Sequence, residues 1–235
     1  MLALHSQTLN VISVIVTLVS AGVTLLTWYH HRGSPGLRGW AIALLLGGAG
    51  SLLYSIRGPD TSFRVLMATD TLFVAGFASM WVSMRRFNDP QLAMARMAMI
   101  VGGVTAIFVV LYFLAYQGGP GMRAHSVIFS LFVFSLALAA AWETWRGRHL
   151  DGLRSRSIAA FALVGIAFAR FARATTVVFY GLGFIELPTR IIIQGYTIYF
   201  TTVCILVVTF GLVLMANERF EREYALQAEG RGAAE

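Results

Sequence analysis

Lysine is absent from this chain of 235 residues, and all 18 of its basic residues are arginine. That absence removes retinal chemistry, because a retinal Schiff base needs a lysine amine. A single cysteine, Cys204, leaves no disulfide framework and no thiolate metal cluster to build. Charge is scarce, at 12% of residues against about 25% in soluble domains, which excludes a soluble globule. There is no Walker loop, no His-Glu-x-x-His and no Gly-x-Ser-x-Gly, so the chain is expected not to be an enzyme itself.

What fills the chain is apolar: 57% of residues, with a mean hydropathy of +0.72. Seven stretches approach the ~20 residues that cross a bilayer core as helix, namely 8–29, 40–56, 65–84, 94–116, 124–145, 158–180 and 191–215. The expected fold is therefore an all-α membrane protein of seven transmembrane helices. The five prolines all fall in the connections, within turns such as Gly58-Pro59-Asp60, Asn88-Asp89-Pro90 and Gly118-Gly119-Pro120-Gly121, so neighbouring helices are expected to run antiparallel.

Only His5 precedes the first span, which is longer than the apolar core of a signal peptide and reads as a retained helix. An outward amino terminus then places twelve arginines on the cytoplasmic side, among them Arg85, Arg86, Arg146, Arg148, Arg154 and Arg156. Only Arg57, Arg64, Arg123 and Arg190 fall on the other side. This positive-inside bias predicts a cytoplasmic carboxyl terminus. It also accounts for the net charge of +7 without nucleic acid, since the arginines flank spans where topology and anionic lipid explain them.

Small residues within spans, Gly47, Gly48 and Gly50 in the second and Gly102 and Gly103 in the fourth, predict close helix packing in lipid. An internal echo is also present. Arg32-Gly33 followed by Gly36-Leu37-Arg38 returns as Arg146-Gly147 followed by Gly152-Leu153-Arg154, Arg64 opens span three as Arg190 opens span seven, and Arg86-Phe87 parallels Arg219-Phe220. A three-plus-one-plus-three plan with parallel triplets would produce it, as would loop composition alone.

Ionisable side chains inside spans cost at least ~2.5–3.5 kcal/mol each on insertion scales, so Asp70, Arg170 and Arg173 are the informative exceptions. Asp70 is expected ~9 Å and Arg173 roughly 10 Å from the outer end of their helices, at 1.5 Å per residue. Equal depth predicts an Asp70–Arg173 ion pair, leaving Arg170 as a surplus cation for backbone carbonyls, water or an anionic ligand. Gln194, Tyr196 and Tyr199 in span seven, with Tyr180 and His125, lie at similar depth and are candidates for a ligand cavity between helices. The tyrosines also suit an interfacial belt. Five histidines leave haem as a lesser alternative, although His30, His31 and His149 sit in arginine-rich turns and His5 and His125 near the water interface. No metal site and no cofactor is expected.

Span seven runs without punctuation into Ala216-Asn217-Glu218-Arg219-Phe220-Glu221-Arg222-Glu223-Tyr224-Ala225-Leu226. Val213, Asn217, Phe220, Tyr224 and Gln227 alternate at four and three, the seam spacing of a parallel dimeric coiled coil. Glu218 with Arg222 and Arg219 with Glu223 flank it as i, i+4 pairs. A solvated helical end fraying after Leu226 fits equally. The chain divides accordingly into a transmembrane domain, 1–217, and a cytoplasmic linker or signalling helix, 218–235.

Two segments resemble the multi-span sensory regions that precede GGDEF diguanylate cyclase domains in bacteria. One is Gly39-Trp40 through Arg57, a short Gly-Pro-Asp loop and a span ending Met84-Arg85-Arg86-Phe87. The other is Leu212-Val213-Leu214-Met215-Ala216-Asn217-Glu218-Arg219-Phe220. The resemblance implies a sensor of the bacterial inner membrane feeding cyclic-di-GMP signalling, with Asp70 and Arg173 at positions where relatives carry polar and arginine residues. The Asp-Pro-Leu-Thr-Gly opening and the GGDEF loop are both missing, so cyclase activity cannot belong to these residues. The expected function is a signal-input module acting on a cytoplasmic output domain or protein, dimerising through Phe220 and Tyr224. The alternative is a small-solute or proton-coupled transporter, because an intramembrane Asp with Arg and a triplet repeat fit that equally.

Overall fold

The computed structural model describes residues 6–30, 36–56, 62–117 and 124–232. Seven helices follow in order: α1 (Ser6–His30), α2 (Leu37–Ser55), α3 (Phe63–Asn88), α4 (Met94–Gln117), α5 (Ala124–Asp151), α6 (Ser155–Gly181) and α7 (Leu187–Gly232). All seven are long and apolar enough to cross a membrane, as the apolar runs predict. The polarity of their surface is inverted relative to a soluble bundle. Ile15, Leu26, Ile107, Leu114, Phe161, Phe168 and Phe210 are exposed, whereas Thr17, Ser20, Thr24, Ser83, Ser130 and Thr144 are buried. Many of these hydroxyls are satisfied locally, by donating to the carbonyl four residues back: Thr17 to Ser13, Thr24 to Ser20, Ser83 to Ser79 and Thr144 to Ala140, at 2.6–2.8 Å.

Six of the helices close into a ring. Contacts run α1·α2, α2·α3, α3·α5, α5·α6, α6·α7 and back to α1 through α1·α7, while α4 stands outside against α3 and α5. Exchanging α1–α3 for α5–α7 maps each ring contact onto another, which is the pairing a three-plus-one-plus-three plan requires. The sequence echo has a backbone counterpart as well. Gly36 (φ 94°) and Gly152 (φ 63°) both take the left-handed conformation. In the register that aligns them, Leu37 matches Leu153 and Trp40 matches Arg156, all buried to within 2% exposure. Ala43 matches Ala159, and each is met by a glycine of the next helix. A Cβ on Gly76 of α3 would lie 3.0 Å from the Ala43 carbonyl, and one on Gly211 of α7 would lie 3.0 Å from the Ala159 Cβ.

Glycines expected to pack do so in α2 and fail to in α4. Gly48 and Gly50 meet Leu18 and Phe73, whereas Gly102 and Gly103 have no neighbour within 4 Å. The reason is the position of α4 outside the ring: it docks by Met97, Phe108 and Tyr112, and its glycines occupy the exposed face. The turns at 33–35, 58–60 and 118–121, with Arg32, Arg57, Arg123, His5 and His31, lie outside the described residues.

These contacts predict an order of cost for alanine substitution. Gly36→Ala should be worst, since it forces an L residue to positive φ and drives a Cβ to 2.7 Å from the Ser83 carbonyl. Gly152→Ala should cost about 1–2 kcal/mol from φ alone. Gly102→Ala should leave thermal stability in detergent unchanged or raised.

Candidate functional site

The ring encloses one large cavity, about 480 Å³, of the size that holds a small molecule. Every ring helix contributes to it, and α4 contributes nothing to its lining. Asn10, Tyr54, His125, Tyr180 and Gln194 line it close to helix ends, so it reaches the end of the ring formed by Ser55, Ala124 and Gly181. Its far reach is marked by Leu44, Met80, Arg170 and Ile205, deep in the ring; Arg170 lies about 16 Å from the Gly181 end at 1.5 Å per residue.

Asp70, Arg170, Arg173, His125 and Gln194, all picked out by the sequence, converge on this cavity. Tyr196 and Tyr199 do not. They are 61% and 55% exposed on the outward face of α7. Helical phase explains the difference, because Gln194, Ile198, Thr201, Thr202 and Ile205 form the stripe that faces inward and leave 196 and 199 turned to lipid. Tyr54, invisible to the spacing arguments, does belong: its hydroxyl accepts a 2.7 Å hydrogen bond from Gln194 Nε2. Since α1 stands between α2 and α7 in the ring, this bond bridges the cavity at its polar end.

Asp70 and Arg173 line the same cavity, and the ion pairs found among the described residues do not include the expected one between them. Depth matched, but azimuth decides contact. Asp70 Oδ2 accepts a 2.9 Å hydrogen bond from the hydroxyl of Tyr112, a fully buried residue of α4 whose ring lies 5.1 Å from that of His125. The two arginines share a different neighbour: the guanidinium carbons of Arg170 and Arg173 sit 5.6 and 5.9 Å from the Phe129 ring centroid. Arg170 is 8% exposed, and its Nε is buried without a hydrogen-bond partner. Two cations at i, i+3 thus face a cavity whose lining supplies one carboxylate.

A second polar cluster lies at the opposite end, built on a residue that had been assigned only a topological role. Arg156 is 1% exposed. Its Nε donates to Asp151 Oδ1 at 2.8 Å, a terminal nitrogen pairs with Asp151 Oδ2, and the other donates to Asn88 Oδ1 at 2.8 Å. Asn88 in turn donates to the Glu143 carbonyl at 2.9 Å, joining α3, α5 and α6. The extension of α7 docks here. Ser155 donates to Glu218 at 3.0 Å, and Arg222 donates to the Asp151 and Gly152 carbonyls. Glu218 and Arg222, expected to pair with one another, are spent on the α5–α6 turn. The seam residues Phe220 and Tyr224 make a ring contact at 4.7 Å, with Tyr224 left 60% exposed.

Among the described residues no group of three His, Cys, Asp or Glu side chains gathers as a metal site, and His30 and His125 sit at opposite ends of the ring. Comparison with family models, curated proteins and solved structures finds no match for the chain. The geometry therefore carries the functional argument alone.

Removing Arg156 leaves half-buried Asp151 and Asn88 without their cationic partner. Arg156→Ala should cost about 1–3 kcal/mol, seen as a lower melting temperature in detergent. Arg154→Ala, one turn position away and exposed, should leave it unchanged.

Proposed function

We propose that the chain is a membrane sensor in which a ligand enters the cavity from the outward side and α7 carries the change to the cytoplasm. The observation that carries this reading is the continuity of α7. One unbroken helix supplies Gln194, Thr201 and Ile205 to the cavity and Glu218 and Arg222 to the cluster around Asp151. From Ile205 to Glu218 is about 20 Å of helix, a rigid span at 1.5 Å per residue. A shift or rotation of α7 that accommodates ligand must alter the docking of its extension.

The strengths suit a switch. Hydrogen bonds and ion pairs at exposed sites contribute only ~0–1 kcal/mol each, so differential ligand binding of a few kcal/mol suffices to release Arg222. Released, the extension would present Phe220 and Tyr224 to a second copy or to a cytoplasmic output, and the likeness to GGDEF-associated regions makes cyclic-di-GMP signalling the output of choice. The outward amino terminus and inner-membrane location belong to this proposal.

A transporter is the second reading, favoured by the pseudo-symmetric ring contacts around a central cavity, a geometry suited to alternating access. One pair of measurements separates the two. In the full chain in lipid nanodiscs, a bacterial small-molecule extract should change amide hydrogen exchange in residues 218–226, and Glu218→Ala/Arg222→Ala should raise exchange there without any extract. In liposomes the same extract should show no counterflow. Uptake that is lost in Asp70→Asn, with exchange in the extension unaltered, would replace the sensor by the transporter.

A further inference from the structure

We infer that the cavity binds a small monocarboxylate with an apolar body, its carboxylate held between the guanidinium groups of Arg170 and Arg173. This rests on the cavity being the input site, and it deepens that reading by naming the ligand's chemistry. The first support is the unmet need of Arg170. Its side chain is over nine-tenths buried, lines the cavity, and keeps Nε without a hydrogen-bond partner, as does the Thr201 hydroxyl of the same lining, whereas Asp70 is met by Tyr112 and Gln194 by Tyr54. A cation taken this far out of bulk water needs a counterion or a full set of acceptors.

Charge and shape then narrow the occupant. Arg170 and Arg173 stand one helical turn apart on α6, each within 6 Å of the same Phe129 ring centroid, so two like charges share one neighbourhood of the cavity and an anion there offsets their repulsion. Among the described residues the lining sets one acid, Asp70, against two arginines, a surplus of one positive charge. A monoanion neutralises that surplus, whereas a phosphate monoester or a dicarboxylate overshoots it beside Asp70. A carboxylate also matches the planar donor fork of guanidinium in bidentate fashion. Phe73, Phe77, Met80, Ile198 and Ile205 form one apolar, partly aromatic wall, while serines and threonines such as Ser13, Ser51 and Ser126 line other parts of the cavity, so the body of the ligand packs an apolar face against that one wall. Such an acid arrives either from water through the Tyr54–Gln194 end or from the bilayer as a fatty acid.

The test uses the full chain in zwitterionic nanodiscs, with benzoate and octanoate as probes, benzamide and octanol as their uncharged counterparts, and inorganic phosphate. At least one carboxylate should raise the melting temperature and bind by calorimetry at least tenfold more tightly than its uncharged counterpart and than phosphate. Benzoate alone assigns an aqueous source, octanoate alone a bilayer source. Arg170→Gln should raise the melting temperature of the unliganded protein, by removing the unpartnered cation, while weakening the carboxylate at least tenfold. Should that variant not fold, Arg173→Gln carries the same expectation for binding, and Arg64→Gln, outside the cavity, should leave binding unchanged. Equal affinity for benzamide and benzoate, no binding by either acid, or undiminished binding in both cavity variants would overturn the inference. Carboxylate binding that leaves exchange at 218–226 untouched removes the sensor and keeps the site; an extract response without carboxylate binding does the reverse.

Discussion

Hydrocarbon offers no hydrogen bonds, and the arrangement of polar groups inside this ring follows from that single constraint. Backbone groups are satisfied within the seven helices, and many buried threonine and serine hydroxyls, such as those of Thr17, Thr24, Ser83 and Thr144, turn back on their own helix at i−4. Side chains that cannot do so reach across helices: Tyr112 of α4 to Asp70 of α3, Gln194 of α7 to Tyr54 of α2. The Nε of Arg170 follows neither route, nor do the buried polar atoms of Ser20, Trp40, Arg86, Thr105 and Thr201, but of these Arg170 alone puts a cation into the lining of the cavity of about 480 Å³. A cation on an insertion scale costs ~2.5–3.5 kcal/mol at the helix centre, which is why the proposed anionic ligand is placed against it.

The same constraint explains why the two ends of the ring differ. Near Asp151, cation and anion are brought together by a tight α5–α6 turn at Gly152, and Arg156 is fully engaged by Asp151 and Asn88. That end is closed and holds its shape. At the Gly181 end the polar groups are spread around a space, bridged only by side chains. In the proposed sensor the first end would take the ligand and the second would be the surface against which motion of α7 registers. A helix that was short, or broken at Met215, could not join them; its 46 residues without a proline beyond the first turn do.

Sequence made the spans legible because ~20 apolar residues have few other uses, and it made Arg170, Arg173 and Asp70 legible because charge there is expensive. It could not give azimuth across helices. Tyr196 and Tyr199 shared the depth of Gln194 and faced the other way, and Asp70 met a tyrosine from α4 in place of an arginine at equal depth. Arg156 was hidden for a related reason: an arginine near a cytoplasmic loop is usually a topology signal, and only the left-handed turn at Gly152 folds it back under α3. Gly102 and Gly103 misled because small residues promote packing only on a face that has a neighbour.

The two halves of the ring show what repetition fixes and what it leaves free. Positive-φ glycines at 36 and 152 begin matching helices, and glycines at 76 and 211 let the next helix approach Ala43 and Ala159. These are backbone requirements, indifferent to chemistry. At the positions between them chemistry diverges: buried Trp40 answers to buried Arg156, and Tyr54 to Arg170, both of the latter pair in the cavity. The first half thus supplies an apolar anchor and a hydroxyl, the second an ionic anchor and a cation. Because α6 carries both Arg156 and Arg170 and packs along α7, charge in the cavity and charge at the docking cluster act on the same neighbouring helix. In the proposed sensor, this asymmetry of charge on a pseudo-symmetric ring would give the second half a direction in which to pass a change along.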